Sequence, residues 1–504
     1  MSRHHLVDTD YVVVGAGSAG SIIASRLASA GATVVIVEAG GTDRRPDVYL
    51  PFGMASLFAT ANWKYPTAPD PSKGGHRTAF AAGRVVGGSG SINAMVFNRG
   101  RAADFDGWAA AGATGWSYAD VLPHFRSLER WVGGSDDFRG ESGPIGVSWC
   151  GHDHELDAAF VAAANEAGHE HNPDQNGRSQ IGVARCQVNQ WRGLRFSSAR
   201  GYLRGLPEEQ RPRVMTRTRA TRVVVESGRA VAVECDRGTV RAREAVILSA
   251  GAIGTPALLL RSGIGPRGAV LDLPGVGENF QDHLVVNQHW ESRVPTLNTL
   301  GPVAAARGLA SLARHGTGPM TTTPFEAQLF TDELQVAITP VRYFLDPVRG
   351  RAAIKRRDAF SVFTVLLHPE ARGRVGVRGD TPVVEMSRLA EQSDVTKLMD
   401  GAAMTRDLIE NQPAMKGLVG SRMEEPAIND RDWLTETESS IWHAVGTCRM
   451  GLDEKSVVDP QLRVHGIDGL RVVDASVMPT ITSGNTNAPT MMIAHRAAEL
   501  MLQR

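Results

Sequence analysis

A chain of 504 residues and 54.0 kDa is long enough for one large core with a dependent second domain, or for two or three compact ones, and so for a sizeable buried site. Its 54 lysines and arginines balance 54 aspartates and glutamates at a pI of about 7.3, so no overall field steers it to nucleic acid or an anionic membrane, and small molecules are the expected partners. Cys150, Cys186, Cys235 and Cys448 lie far apart, with no CxxC pair and no Cys/His spacing for zinc, so neither a disulfide framework nor a bound metal is expected.

The first ten residues are mostly polar and lead into an apolar run too short for a signal core or a membrane span, so a cytoplasmic protein is expected. Residues 11–14 read as a short strand, 15–20 as a glycine-rich turn, and 21–29 carry Ile22, Ile23 and Leu27 at helical spacing. A second strand over 33–37 closes a βαβ unit. From 51 to 106 the chain is rich in Gly, Pro, Ser and Asn without sustained periodicity, which suggests long functional loops around a ligand. Alternation over 221–225 and 230–234, followed by 245–248, predicts a meander that returns to the first sheet. Residues 336–339, 359–367 and 383–386 read as strands of a second sheet, with a helix over 394–411 and a last apolar helix over 491–502.

The turn has a specific chemistry. Gly15-Ala16-Gly17-Ser18-Ala19-Gly20 follows a strand, opens a helix and is trailed by Glu38 at the end of the next strand, the spacing of a dinucleotide fingerprint. Gly15 permits the tight turn, Gly17 lets backbone approach a pyrophosphate, Gly20 lets helix and strand pack closely, and Glu38 accepts from ribose hydroxyls. The motif alone does not separate FAD from NAD. The small residues of Gly83 to Ala94, Gly-Arg-Val-Val-Gly-Gly-Ser-Gly-Ser-Ile-Asn-Ala, would let backbone lie against a large flat ring, which favours flavin.

Read together, these pieces resemble the glucose-methanol-choline (GMC) oxidoreductases over essentially the whole chain. Besides the fingerprint, the segments 83–93, 249–256 and 273–283 are similar to family signatures in the same order. The most specific matches are 443–451 (His-Ala-Val-Gly-Thr-Cys-Arg-Met-Gly), 471–476 and 483–490. The resemblance implies an α/β fold: a Rossmann-like FAD-binding domain from 1–150, 196–285 and 436–504, and a substrate domain from 151–195 and 286–435 on a largely antiparallel sheet with helices. It places Gly15, Gly17, Ser18, Ala19 and Gly20 at the FAD diphosphate, Glu38 and Ala39 at the adenosine ribose, and Val223 beside the adenine. Gly88, Asn93 and Ala94 fall at the isoalloxazine, and Asp474, Ala475 and Thr486 near the pyrophosphate, ribitol and pyrimidine end, with Arg84, Gly87 and Gly251 as further cofactor contacts. Some members attach FAD through a histidine where this chain has Ile92, so noncovalent FAD is expected. His443 would be the active-site base and Asn485 its partner.

Oxidising an alcohol requires a proton to leave oxygen and a hydride to leave carbon. A neutral histidine takes the first, an amide can hold the developing alkoxide, and the flavin performs the hydride chemistry. The expected reaction is oxidation of a primary alcohol to an aldehyde, with oxygen or another acceptor taking the electrons. Trp442 is a candidate pocket wall. Glu326 is a candidate substrate contact, with a solvated surface position as its alternative, and Glu424 and Glu425 read as solvated. An acid in the pocket would favour an amino alcohol, a sugar or an aminoglycoside-type hydroxyl; none would favour small aromatic or aliphatic alcohols. A non-redox lyase of the hydroxynitrile type and an NAD-dependent dehydrogenase are the competing readings. Oligomeric state is left open.

Overall fold

The computed structural model describes residues 5–346, 351–354, 356–423 and 431–503. Its first sheet grows around the strand His5–Val14, whose Val12, Val13 and Val14 are buried. In spatial order the strands are Arg213–Met215, Val34–Val37, His5–Val14 and Gly238–Leu248, with Leu470–Val472 beside the last, all parallel. A parallel sheet is covered on both faces, which explains why Val34–Val37 is buried at every position instead of alternating. The meander Ala220–Glu226 and Arg229–Cys235 extends the sheet in antiparallel sense onto Gly238–Leu248. The helix Ser18–Ser29 buries Ile22, Ile23 and Leu27 and packs against the terminal helix Asn487–Leu502, so the two ends of the chain meet at one wall. That terminal helix begins four residues before the expected 491, because Pro489 sits in its first turn, where a missing N–H leaves no intrahelical bond unmade.

The second sheet is antiparallel throughout, in the order Val419–Arg422, Leu284–Ser292, Ala359–Leu366, Leu334–Thr339, Ala327–Phe330, Gly182–Arg185. Helices Glu155–Glu166 and Gln392–Glu410 pack on it. All eight residues of Ala359–Leu366 are buried, so the sheet is covered on both sides. Residues 383–386 do not join it. They belong to Thr381–Met386, which pairs with Gly373–Arg378 in a separate hairpin whose turn uses Gly379 at φ +58°. The long loop stretch is also more ordered than its composition suggests, holding the helices Met54–Thr60 and Ala102–Ala110. All four cysteines are free and buried. Among the described residues no helix is long and apolar enough to cross a membrane.

Candidate active site

A cavity of about 560 Å³ runs from the first turn of the parallel sheet to the inner face of the antiparallel one. At one end Gly15, Gly17, Ser18 and Ala19 line it. Gly17 is the N-cap of its helix and no side chain caps the terminus, so backbone N–H groups and the positive end of the helix dipole meet the cavity. Two glycines here admit no side chain: a Cβ on Gly15, at φ +99°, would lie 2.5 Å from the Ser249 carbonyl oxygen, and one on Gly88 would lie 2.7 Å from the Gly17 Cα. Glu38 and Ala39 follow along the wall. The Glu38 carboxylate accepts from Ala16 N at 2.8 Å and Gly40 N at 2.6 Å, and burial outweighs these bonds in raising its pKa. Across the cavity Asp474 accepts from Gly251 N at 2.9 Å and Thr255 Oγ1 at 2.6 Å, tying together two segments that both reach the lining. Gly88, Asn93, Ala94, Ala475 and Thr486 complete the lining of this middle stretch.

At the other end stand His443 and Asn485. Asn485 Nδ2 is 3.2 Å from His443 Nε2, and His443 Nδ1 is 2.8 Å from His283 Nδ1. Desolvation by the surrounding protein holds the His443 pKa down to about 3, so the ring is neutral and its lone pair available at ordinary pH. Burial lowers His283 as well. The loop is held by fully buried Asp282, which accepts from His443 N at 2.8 Å and from Arg388 at 3.2 Å, and also from Ser440 Oγ. That grip maintains Trp442 at φ +60°, a conformation unfavourable for a residue with a side chain. The surrounding wall is apolar: Trp442 stands 5.0 Å from Phe58 between ring centroids, Phe325 stands 4.9 Å from Phe363, and Ile441 joins them.

Several residues singled out in the sequence lie off the cavity. Gly20 is a packing residue, since a Cβ there would come 1.9 Å from Gly15 O. Gly87 supports the turn, its N–H donating to Ala16 O at 2.7 Å, and Arg84 stacks over Trp63 at 4.9 Å. Val223 is buried within its strand and its N–H is spent on Ser262 Oγ at 2.8 Å; Thr218, Arg219 and Ala220, just upstream, line the cavity instead. Glu326 neither faces the cavity nor reaches solvent. It is 1% exposed and bonded to His152 Nδ1 at 2.8 Å, while Phe325 beside it, just before the strand Ala327–Phe330, takes the cavity side. His152, Asp157 and Glu326 form the one cluster of metal-ligand types among the described residues, with ligand atoms within 4.8 Å of one another. Burial raises Asp157 well above the carboxylate range and Glu326 to about 7, which favours retained protons there. Glu424 and Glu425 lie outside the described residues. His283 ends the segment 273–283 and has no role assigned to it by the sequence; Asn487, which accepts from Ser18 Oγ at 2.6 Å, follows Thr486 directly.

A helix N-terminus, a strand-end glutamate and a histidine–amide pair around one elongated cavity define a dinucleotide-cofactor oxidoreductase of the α/β class. The two parts of the GMC oxidoreductase family model match residues 9–285 and 369–494, and the chain belongs to this family of FAD-dependent alcohol oxidoreductases. It is 35% identical to the oxygen-dependent choline dehydrogenase of Brucella ovis, across 99% of this chain and 96% of that one. It is 37% identical to the protein of the same name in Sinorhizobium medicae, across 98% and 96%. Among solved structures, a pyridoxine 4-oxidase from "Mesorbium loti" superposes with a TM-score of 0.87 at 27% identity, covering 98% of this chain and 99% of that one. A formate oxidase from Aspergillus oryzae shares the fold, with a TM-score of 0.90 at 23% identity over 98% of each chain.

Proposed function

We propose that this enzyme oxidises a neutral aromatic or aliphatic primary alcohol to the aldehyde, with FAD bound noncovalently and His443 Nε2 taking the hydroxyl proton. The observation that carries the reading is the neutral imidazole and its amide partner, 3.2 Å apart, on the wall of the cavity that the glycine turn also lines. The N-terminus of Ser18–Ser29, with Gly15, would face the diphosphate, and Glu38 with Ala39 the adenosine ribose. Ala220 would take the adenine position. Gly88, Asn93 and Ala94 would lie along the isoalloxazine, while Gly251, Asp474, Ala475 and Thr486 shape the stretch between. Ile92 also lines the cavity and has no nucleophilic nitrogen for a covalent link.

Bound FAD supplies the two-electron acceptor for the hydride. The chain's own contribution is to place the alcohol. Its hydroxyl donates to His443 Nε2, Asn485 Nδ2 donates to the oxygen as negative charge develops, and the aromatic wall keeps water out. The acids that line the cavity are Glu38 and Asp474, in segments assigned here to the cofactor, and Asp380, in a hairpin turn whose carbonyl meets Arg219 and Arg261. Asp282, which holds the His443 loop, is off the lining and paired with Arg388, so among the described residues the His443 end has no lining carboxylate. That absence separates the proposed substrate from the cationic alcohol named for the curated relatives, since a quaternary ammonium desolvated there would lack a counter-ion.

An anaerobic screen of benzylic, aliphatic and quaternary-ammonium alcohols tests the reading. Flavin bleaching by the neutral alcohols supports it, and bleaching by the cationic ones alone overturns the substrate class. Product formation with the flavin still oxidised would overturn the redox reaction itself. Peroxide yield set against dye reduction then identifies the electron acceptor.

A further inference from the structure

Behind Asn485 lies a continuous chain of buried side-chain amides. Asn98 Nδ2 donates to Asn485 Oδ1 at 2.8 Å, and Gln335 Nε2 approaches the same oxygen at 3.4 Å. Gln328 Nε2 donates to Asn98 Oδ1 at 3.2 Å and to Gln175 Oε1 at 2.9 Å, while Gln328 Oε1 accepts from Gln335 at 2.9 Å. Gln175 Nε2 donates to the Gly182 carbonyl at 2.7 Å. Asn98, Gln175, Gln328 and Gln335 are each at most 3% exposed.

An amide has two ends of nearly equal shape, one donating and one accepting, so a chain of them has a direction only if something fixes one end. Here a backbone carbonyl does, because it only accepts. It requires the Gln175 NH₂ group to face Gly182, which turns the Gln175 oxygen to Gln328 and the Gln328 NH₂ to both Gln175 and Asn98. Asn98 must then offer its NH₂ to Asn485, and reversing any one member would set donor against donor or oxygen against oxygen in a site closed to water. Asn485 is left with its NH₂ toward His443 Nε2.

We infer that Asn98, Gln328 and Gln175 are positioning residues that select the tautomer of His443: neutral, with its proton on Nδ1, shared with His283, and its lone pair on Nε2 at the cavity. This rests on the proposed alcohol oxidation for its consequence, but not for its geometry. The flipped Asn485 would offer its oxygen to Nε2, draw the proton there and leave no base facing the substrate. When the alcohol arrives, the Asn485 NH₂ group passes from the imidazole to the substrate oxygen, so the same orientation serves both states.

The test uses oxidised holoenzyme labelled with ¹⁵N-histidine, the His443 signals being assigned by comparison with His443→Ala. The expected spectrum has Nε2 unprotonated. Asn98→Leu should populate the Nε2–H tautomer and slow alcohol-driven flavin reduction by about tenfold or more, with the alcohol dissociation constant little changed. Asn98→Asp keeps the shape and the acceptor, and it donates only while its carboxyl is protonated. Its rate relative to the unaltered enzyme should therefore fall as pH rises, whereas the Asn98→Leu deficit should not depend on pH. This serves even if Asn98→Leu fails to fold. A protonated Nε2 in the unaltered enzyme, or an unchanged tautomer and rate in a flavin-replete Asn98 variant, would overturn the inference. If no alcohol reduces the flavin, the oxidation reading fails while the spectrum still decides the tautomer.

Discussion

The two ends of the cavity are built from different materials. The turn end is made of backbone: one contiguous segment from Gly15 to Ala19, with Gly15 barred from substitution by the Ser249 carbonyl oxygen and Gly88, packed on it, by the Gly17 Cα. The His443 end is made of side chains gathered from residues 58, 98, 283, 325, 363, 442 and 485, each oriented by its own partners. The first should fail by losing cofactor and the second by losing turnover. That separation is what experiment can break.

The largest effect is expected from His443→Ala, which should lower kcat by about 10² to 10⁴ while flavin content stays near one per chain, as absorbance of the purified protein would show. Loss of flavin together with turnover would merge the two ends. At the turn, Gly88→Val places a side chain at φ +55° with its Cβ 2.7 Å from Gly17 Cα, so the protein should purify largely without flavin. Glu38→Ala should be milder, weakening FAD binding by roughly tenfold through loss of charge-assisted bonds, measurable by titrating FAD into the apoprotein. The pH dependence sharpens the contrast further. With the His443 pKa held near 3, the neutral and basic form persists on acidification, so the flavin-reduction rate should show no acid limb near pH 6.5 and stay flat down to about pH 5.

The smallest effect on turnover belongs to Glu326. Glu326→Gln should leave kcat unchanged because the carboxyl turns away from the cavity, but it should alter stability. A carboxyl whose folded pKa is raised from 4.5 to about 7 binds its proton more tightly in the native state. Its contribution is therefore full at acid pH and is lost as pH rises from about 4.5 through 7. Melting temperatures measured from pH 5 to 8 should decline less steeply for the variant than for the unaltered protein.

The same division explains what could be read without coordinates. The βαβ unit, the meander and the antiparallel strands over 334–339 and 359–366 are local patterns of apolar spacing, and the glycine turn is a local steric requirement, so each is written in contiguous residues. The resemblance to the family extended that reading to His443 and Asn485. It did not say which residues face the cavity: Val223 spends its N–H within the protein while Ala220 lines the cavity, and Glu326 is buried off it while Phe325 lines it. Residues 383–386 form a strand as expected but pair with Gly373–Arg378 outside the second sheet, for a similar reason: a strand's period does not say which sheet it joins.

What the sequence by itself determined was the cofactor turn, the family and the residue types available for alcohol chemistry, because backbone sterics and ordered motifs act over short stretches of chain. What only the tertiary structure decided was which residues share a wall, that Asp282 holds the His443 loop, and that amides far apart in the chain point Asn485 at the imidazole. Those depend on where sheets and loops from distant positions come to rest, and on hydrogen-bond direction inside a dry core, neither of which any local pattern encodes.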